Sequence, residues 1–260
     1  MYKEYLDFAI ELAKKVGEIH LCYFRKDNLM ADTKSNIYDV VTRADRESED
    51  FIVKCVLDRY PDHKILGEEG GYRGNPEAAF VWVVDPLDGT NNYSQGLPVF
   101  CVSIALQYKG QTIAGVVYAP YLDELFFASK AGGAFMEYKG TERKQINVSD
   151  KNNLNTSVLA TGFPYDKDIV PDNNSDNLSR IIPHIRGIRR MGAAAYDLCC
   201  VAAGLLDGYW ELALQPWDVC AGNLIVEEAG GEIKCFRAGR GISEMAGNTS
   251  ILCEIEKYIR

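Results

Sequence analysis

The chain has few of the residues that most often bind transition metals or nucleic acids. Histidine occurs three times in 260 residues, at His20, His63 and His184. Their wide spacing, with no H-x-x-x-H and no Cys nearby, excludes the usual zinc and haem patterns and reads as solvent-facing or internally satisfied imidazoles. No two of the eight cysteines have C-x-x-C spacing, and most lie in apolar runs. Without a secretory signal, that pattern reads as reduced, buried thiols rather than a disulfide framework or a zinc site. Basic runs are limited to pairs such as Lys14-Lys15 and Arg189-Arg190, and 28 Lys and Arg against 37 Asp and Glu leave a formal net charge of −9. A phosphate backbone needs clustered cations, so a nucleic-acid partner is not expected. No apolar run approaches the ~20 residues of a membrane span. The stretch EYLDFAIELAKKVGEIHLCYF spaces Leu6, Ile10, Ala13, Gly17, Leu21 and Phe24 as one face of an amphipathic, core-facing helix, not a signal peptide, so a cytoplasmic protein is expected. Walker A and G-x-G-x-x-G frameworks are missing, as are internal repeats.

What is present is ordinary for a globular protein: 47% hydrophobic and 25% charged residues, enough for one large domain or two small ones sharing an interface. The polar stretch ADTKSNIYDVVT leads into a second helix over RADRESEDFIVKCVLDRYP, opened by Thr42 or Ala44-Asp45 and ended at Pro61. Short apolar or alternating runs then predict a mostly antiparallel sheet, with Lys109-Gly110 at a hairpin turn. The polar segment KGTERKQINVSDKNNLNT predicts a boundary between an α+β part, 1–140, and an α/β part, 141–260.

Residues 82–93, WVVDPLDGTNNY, hold the most specific chemistry. The β-branched run 81–84 is the signature of a strand buried on both faces, so Asp85 is expected where the strand leaves the sheet. Pro86 restricts the backbone between Asp85 and Asp88, and Gly89 with Thr90 offers an anion-binding nest if a helix begins there. Two carboxylates so close repel each other unless a cation lies between them, although Asp-Pro and Asp-Gly are also common turn dipeptides. Glu68-Glu69 follows another strand-like run, and Asp218 precedes an apolar helical run, where an N-cap role is the plain reading. Three segments thus bring carboxylates to element ends, and hard oxygen donors without His or Cys favour Mg²⁺ over zinc.

These motifs, with DVVTRAD (39–45), GEE (67–69), TGFPYD (161–166), RRMGAAAYDLCCVAAG (189–204) and PWDVCAGNLIVEEAGG (216–231), occur in an order that resembles the inositol monophosphatase-like, Mg²⁺-dependent phosphatases. The resemblance implies an alternating α-β-α-β-α sandwich with the site where the two parts meet, a homodimer, and two or three Mg²⁺ ions. Glu68, Asp85 and the Leu87 carbonyl would hold one ion; Asp85, Asp88 and Asp218 would hold another. Gly89 and Thr90 would receive the phosphate, with Leu87, Asp88 and Asp218 bordering it. Thr90, Asp45 and Glu68 would prepare the attacking water. Gly192, Ala193, Ala194 and Glu211 would contact the hydroxyls of the alcohol, and Arg189 would lie near the substrate or the subunit interface. Ala193 departs from the Ser or Thr of many members, and Tyr93 replaces a common Phe, so its O–H needs a partner if buried. The implied activity is hydrolysis of a small phosphorylated polyol or sugar, inositol 1-phosphate first. Fructose 1,6-bisphosphate or dual specificity is the alternative, and a catalytically weak binding or regulatory protein is the alternative of another class.

Overall fold

A computed structural model describes residues 2–26, 32–33 and 40–260. The polar stretch expected over 31–42 therefore lies largely outside the described residues. Helix α1 (Lys3–Tyr23) buries Ala9, Ile10, Ala13, Val16, Gly17 and His20. Leu21, expected on that face, is 43% exposed: at 100° per residue the stripe through Ala13 and Val16 runs on to His20 and Phe24, leaving Leu21 at its edge. Strands β1 (Asp32–Thr33) and β2 (Val40–Val41) form a small antiparallel pair. Helix α2 (Arg43–Arg59) starts at Thr42, whose Oγ1 accepts the Ala44 N–H, while Asp45 reaches back to the Thr42 N–H. This reciprocal cap satisfies two of the donors a helix start leaves unpaired.

The first sheet follows, built from β3 (Lys64–Gly67), β4 (Gly71–Gly74) and β5 (Phe80–Asp88) and, after the short helix α3 (Thr90–Ser94), from β6 (Cys101–Tyr108), β7 (Gln111–Ala119), β8 (Glu124–Ser129), β9 (Ala134–Tyr138) and β10 (Lys144–Gln145). Its strand order is β10-β9-β8-β7-β6-β5-β3-β4, and only the β3–β5 pairing is parallel. The expected hairpin joins β6 to β7, with Lys109 at φ 51° and Gly110 at φ 79°. Two successive positive φ values match the right-handed twist of the flanking strands.

The second sheet takes its strands from β11 (Val158–Thr161), β12 (Gly187–Arg189), β13 (Gly208–Leu214), β14 (Glu232–Arg237) and β15 (Ile242–Gly247), in the order β12-β11-β13-β15-β14. Helices α4 (Ser175–Ile181), α5 (Ala194–Ala202), α6 (Pro216–Glu228) and α7 (Thr249–Ile255) complete the second half of the chain. Strand alternation sorts the core into layers. Trp82 and Val84 of β5 face Ile10, Val16, Ile52 and Val56 of α1 and α2. Val83 faces the other way, into a core shared with Leu198 and Val201 of α5, Leu224 and Ile225 of α6, and Tyr209 and Ala246 of the second sheet. On that sheet's far side, Leu159, Trp210 and Met245 pack on Ile181, Ile251, Leu252 and Ile255 from α4 and α7. The result is the expected α-β-α-β-α sandwich, with α5 and α6 as the middle layer.

All eight cysteines are free. Cys101, Cys199 and Cys200 are buried, as expected, but Cys22, Cys235 and Cys253 are exposed. Cys235 lies on β14 at the rim of its sheet, and an apolar neighbourhood in sequence does not say which face of a strand or helix a residue takes. Among the described residues, no helix is long and apolar enough to cross a membrane.

Candidate active site

Strand β5 does not leave the sheet at Asp85. Asp85 pairs with Ser103 and Asp88 with Cys101, so one extra residue is accommodated between them as a bulge. Pro86, which has no N–H to give the ladder, sits in that irregularity. His20 of α1 pins it by donating its Nε2–H to the Pro86 carbonyl at 2.8 Å. Burial lowers the His20 pKa to about 4, so the ring is neutral at physiological pH. Asp85 Oδ1 accepts the Leu87 N–H at 2.9 Å, fixing the first acid within the bulge.

Asp88 is held from the opposite half of the chain. Its Oδ2 accepts the Ala195 N–H at 2.8 Å, and the Ala194 N–H also bonds this carboxylate. Helix α5 begins after Ala193, which has no capping side chain, so Asp88 takes over the first-turn donors. Asp218 differs from its expected N-cap place. Gln215 is the N-cap of α6, Pro216 opens the helix, and Asp218 is its third residue, accepting the Gln215 N–H at 2.7 Å. Proline at the first helical position shifts the cap back to Gln215. Glu68 follows β3, its N–H bonded to the Val84 carbonyl at 3.2 Å.

Glu68, Asp85, Asp88 and Asp218 line one cavity of about 320 Å³. Burial, followed by the charges of Glu68, Asp88 and Asp218, raises Asp85 well above the usual carboxylate range. Burial likewise raises Asp218 well above that range and Asp88 to about 6. Such a set favours a bound cation, which would reverse the local sign of the field. The donor chemistry fits a hard divalent ion: these four side chains are all carboxylates, and among the described residues no histidine lines the cavity. Among the described residues, however, no group of three or more His, Cys, Asp or Glu stands close enough to grip an ion as placed.

Beside the acids, Gly89 takes φ 90° and α3 starts at Thr90, meeting the condition for a nest of N–H groups. A Cβ at Gly89 would lie 3.0 Å from the Val99 carbonyl oxygen, so this position needs glycine for both angle and space. Thr90 Oγ1 is 2.9 Å from Asp45 Oδ1 and 2.9 Å from the Leu87 carbonyl oxygen, and its single proton serves one acceptor at a time. The Thr42 hydroxyl donates to Asp45 Oδ2 at 2.5 Å. Burial raises the Asp45 pKa, opposed by its bonds to Thr42 and Thr90.

Gly192, Ala193 and Ala194, packed against Gly89 and Asp88, also line the cavity, as does Glu211. Tyr209 donates its O–H to Glu211 Oε2 at 2.6 Å, and burial raises Glu211 to about 7. Arg189, expected near the substrate or the subunit interface, ends β12 and is not in the wall; its neighbour Arg190 is the one that borders the cavity.

A model of the inositol monophosphatase family matches residues 1–257. The chain belongs to the inositol monophosphatase family. Among curated members, the Nus factor SuhB of Pasteurella multocida is 42% identical over 235 residues, covering 90% of this chain and 86% of its own. The inositol-1-monophosphatase of Synechocystis sp. is 44% identical over 203 residues, 78% of this chain and 69% of its own. The crystal structure of the extragenic suppressor protein suhB from Bartonella henselae superposes with a TM-score of 0.89 at 35% identity, over 98% of both chains.

Within this inositol monophosphatase site, the wall residues that the sequence did not single out include Asp197, Tyr165 and Ala213. Asp197 is 2% exposed, and its Oδ1 has no hydrogen-bond partner among the described residues. It lies one helical turn beyond Ala193, a spacing that could have revealed it. Tyr165 lies in the TGFPYD motif and borders the cavity while remaining 46% exposed. Ala213, at φ 62°, marks a bulge in β13 between Glu211 and Leu214 for which the sequence carries no signal.

Proposed function

We propose that this chain is a Mg²⁺-dependent phosphomonoesterase that acts on small phosphorylated polyols, inositol 1-phosphate foremost. One observation carries the reading: the carboxylates of Glu68, Asp85, Asp88 and Asp218 share a cavity with Thr90, whose hydroxyl is hydrogen-bonded to the buried Asp45 behind it. Glu68, Asp85, Asp88, Asp218 and the Leu87 carbonyl would hold the Mg²⁺, which supplies Lewis acidity and neutralises phosphoryl charge. Gly89 and Thr90 present backbone N–H groups toward the phosphoryl oxygens. Thr90 Oγ1 orients the attacking water, passing a proton toward Asp45, whose raised pKa suits it to receive one. Glu211 and the Gly192, Ala193 and Ala194 segment accept and position the alcohol. Ala193 offers no hydroxyl, so Glu211 does more of the reading of substrate hydroxyls.

The same metal site would serve fructose 1,6-bisphosphate, since fold and site do not by themselves set the alcohol. The name Nus factor, borne by a relative at 42% identity, supports a second reading as a binding protein. The deciding experiment is phosphate release from inositol 1-phosphate, fructose 1,6-bisphosphate, histidinol phosphate and adenosine 3′,5′-bisphosphate, with and without Mg²⁺. Turnover that needs Mg²⁺ and is fastest on inositol 1-phosphate is expected. Folded protein inactive on all four would favour the binding reading.

A further inference from the structure

Glu49 is 4% exposed on α2, one turn beyond Asp45, and the proposed chemistry does not use it. Its Oε2 accepts the Glu69 N–H at 2.8 Å, and the Gly70 N–H bonds the same carboxylate. Both glycines that flank the Glu68-Glu69 pair are moulded to it. A Cβ on Gly67 would come 2.5 Å from Glu49 Oε2, and one on Gly70 would come 2.6 Å from Oε1. Arg73 packs at Gly70 and contributes the opposite charge. Since Val84 holds the Glu68 N–H from the other side, the backbone on both sides of Glu68 is fixed: by the sheet before it and by Glu49 after it.

We infer that Glu49 is the positioning residue for Glu68, and that one face of α2 sets two parts of the site against each other. Asp45 fixes Thr90; one turn later, Glu49 fixes the loop that delivers Glu68. A carboxylate suits this task because it can accept two adjacent backbone N–H groups at once, and charge-assisted bonds are the stronger kind. The role of Glu68 toward Mg²⁺ rests on the proposed function; the grip of Glu49 on the loop does not.

The test is Mg²⁺ binding to the full chain by calorimetry, without substrate, for the wild type, Glu49→Ala, Glu49→Gln and Gly67→Ala. Glu49→Ala is expected to weaken Mg²⁺ binding about 10–100-fold, the usual cost of losing a partner behind a metal ligand. Glu49→Gln keeps one acceptor oxygen in place of two and is expected to recover part of that loss. Gly67→Ala crowds Glu49 and should also weaken binding, and in Gly67→Ala/Glu49→Ala the two losses should fall short of adding, because the crowding partner is gone. Wild-type Mg²⁺ affinity in Glu49→Ala, or full additivity in the double variant, would overturn the inference. If the wild type itself binds no Mg²⁺, the proposed function fails and amide exchange decides the rest. Faster exchange at Glu69 and Gly70 in Glu49→Ala than in Glu49→Gln would support the grip; equal exchange would refute it.

Discussion

Asp88 Oδ2 takes the Ala195 N–H at the start of α5 while the rest of the carboxylate borders Glu68, Asp85 and Asp218. Its substitution therefore separates chemistry from folding. An asparagine at this position could still accept the helix-start N–H groups through its amide oxygen, yet it carries no charge. Asp88→Asn is expected to lower kcat/KM roughly 10²–10³-fold, the scale of removing one electrostatic partner of a transition state. Its thermal midpoint without Mg²⁺ should equal or exceed the wild type, since a buried charge among like charges is gone. Steady-state kinetics and thermal melting check both; near-normal turnover would remove Asp88 from the site. At this scale the sequence was legible where one residue type has one chemical use: the acids, Gly89, and the need of Tyr93 for a partner, met by the His20 carbonyl at 2.5 Å. It was illegible where the answer depends on which way a side chain points, as with Arg189 and Arg190.

Elements end where backbone chemistry forces them to, and the two bulges show the contrast. In β5, Pro86 announces the irregularity, although strand pairing resumes beyond it at Asp88. In β13, nothing announces it: Ala213 adopts φ 62°, with its N–H on Ser243 Oγ at 3.2 Å, at a position a glycine would fill without strain. The bulge is set by tertiary context, with Glu211 pairing opposite Glu244 and Leu214 opposite Ile242. Ala213→Gly is therefore expected to be neutral or stabilising by up to about 1 kcal/mol, because relief of the left-handed strain outweighs the entropy glycine adds to the unfolded chain. Urea unfolding measures it, and a loss of more than about 1 kcal/mol would mean that the Ala213 methyl packs rather than strains. Caps followed a similar division: Thr42 was readable from its sequence, whereas Asp218 gave up the N-cap to Gln215 because Pro216 takes the first helical position.

Across the whole molecule, an excess of acid is stored inside as well as on the surface. Glu244, on β15, is 3% exposed; Asn223 Nδ2 donates to its Oε2 at 3.0 Å, while Glu244 Oε1 and Asn223 Oδ1 have no partners among the described residues. Glu227 and Cys220 of α6 lie near it, and Glu211 is its cross-strand neighbour. Burial raises Glu244 from 4.5 to about 7, and Glu211 moves the same way. Both therefore bind a proton more tightly in the folded chain than in the unfolded one. Their contribution is most favourable below about pH 4.5 and is lost as the pH rises through about 7. Glu244→Gln removes one such titration, and its carbonyl can keep the existing bond from Asn223 Nδ2. Since one pKa unit corresponds to ~1.4 kcal/mol, the variant is expected to exceed the wild type in stability by on the order of 2 kcal/mol at pH 8. The gain should shrink toward zero near pH 5, where the wild-type carboxyl is already protonated. Urea melts at the two pH values decide it: an equal difference at both would show that Glu244 does not titrate between them, and a destabilised variant at pH 8 would show that its charge has a partner worth keeping.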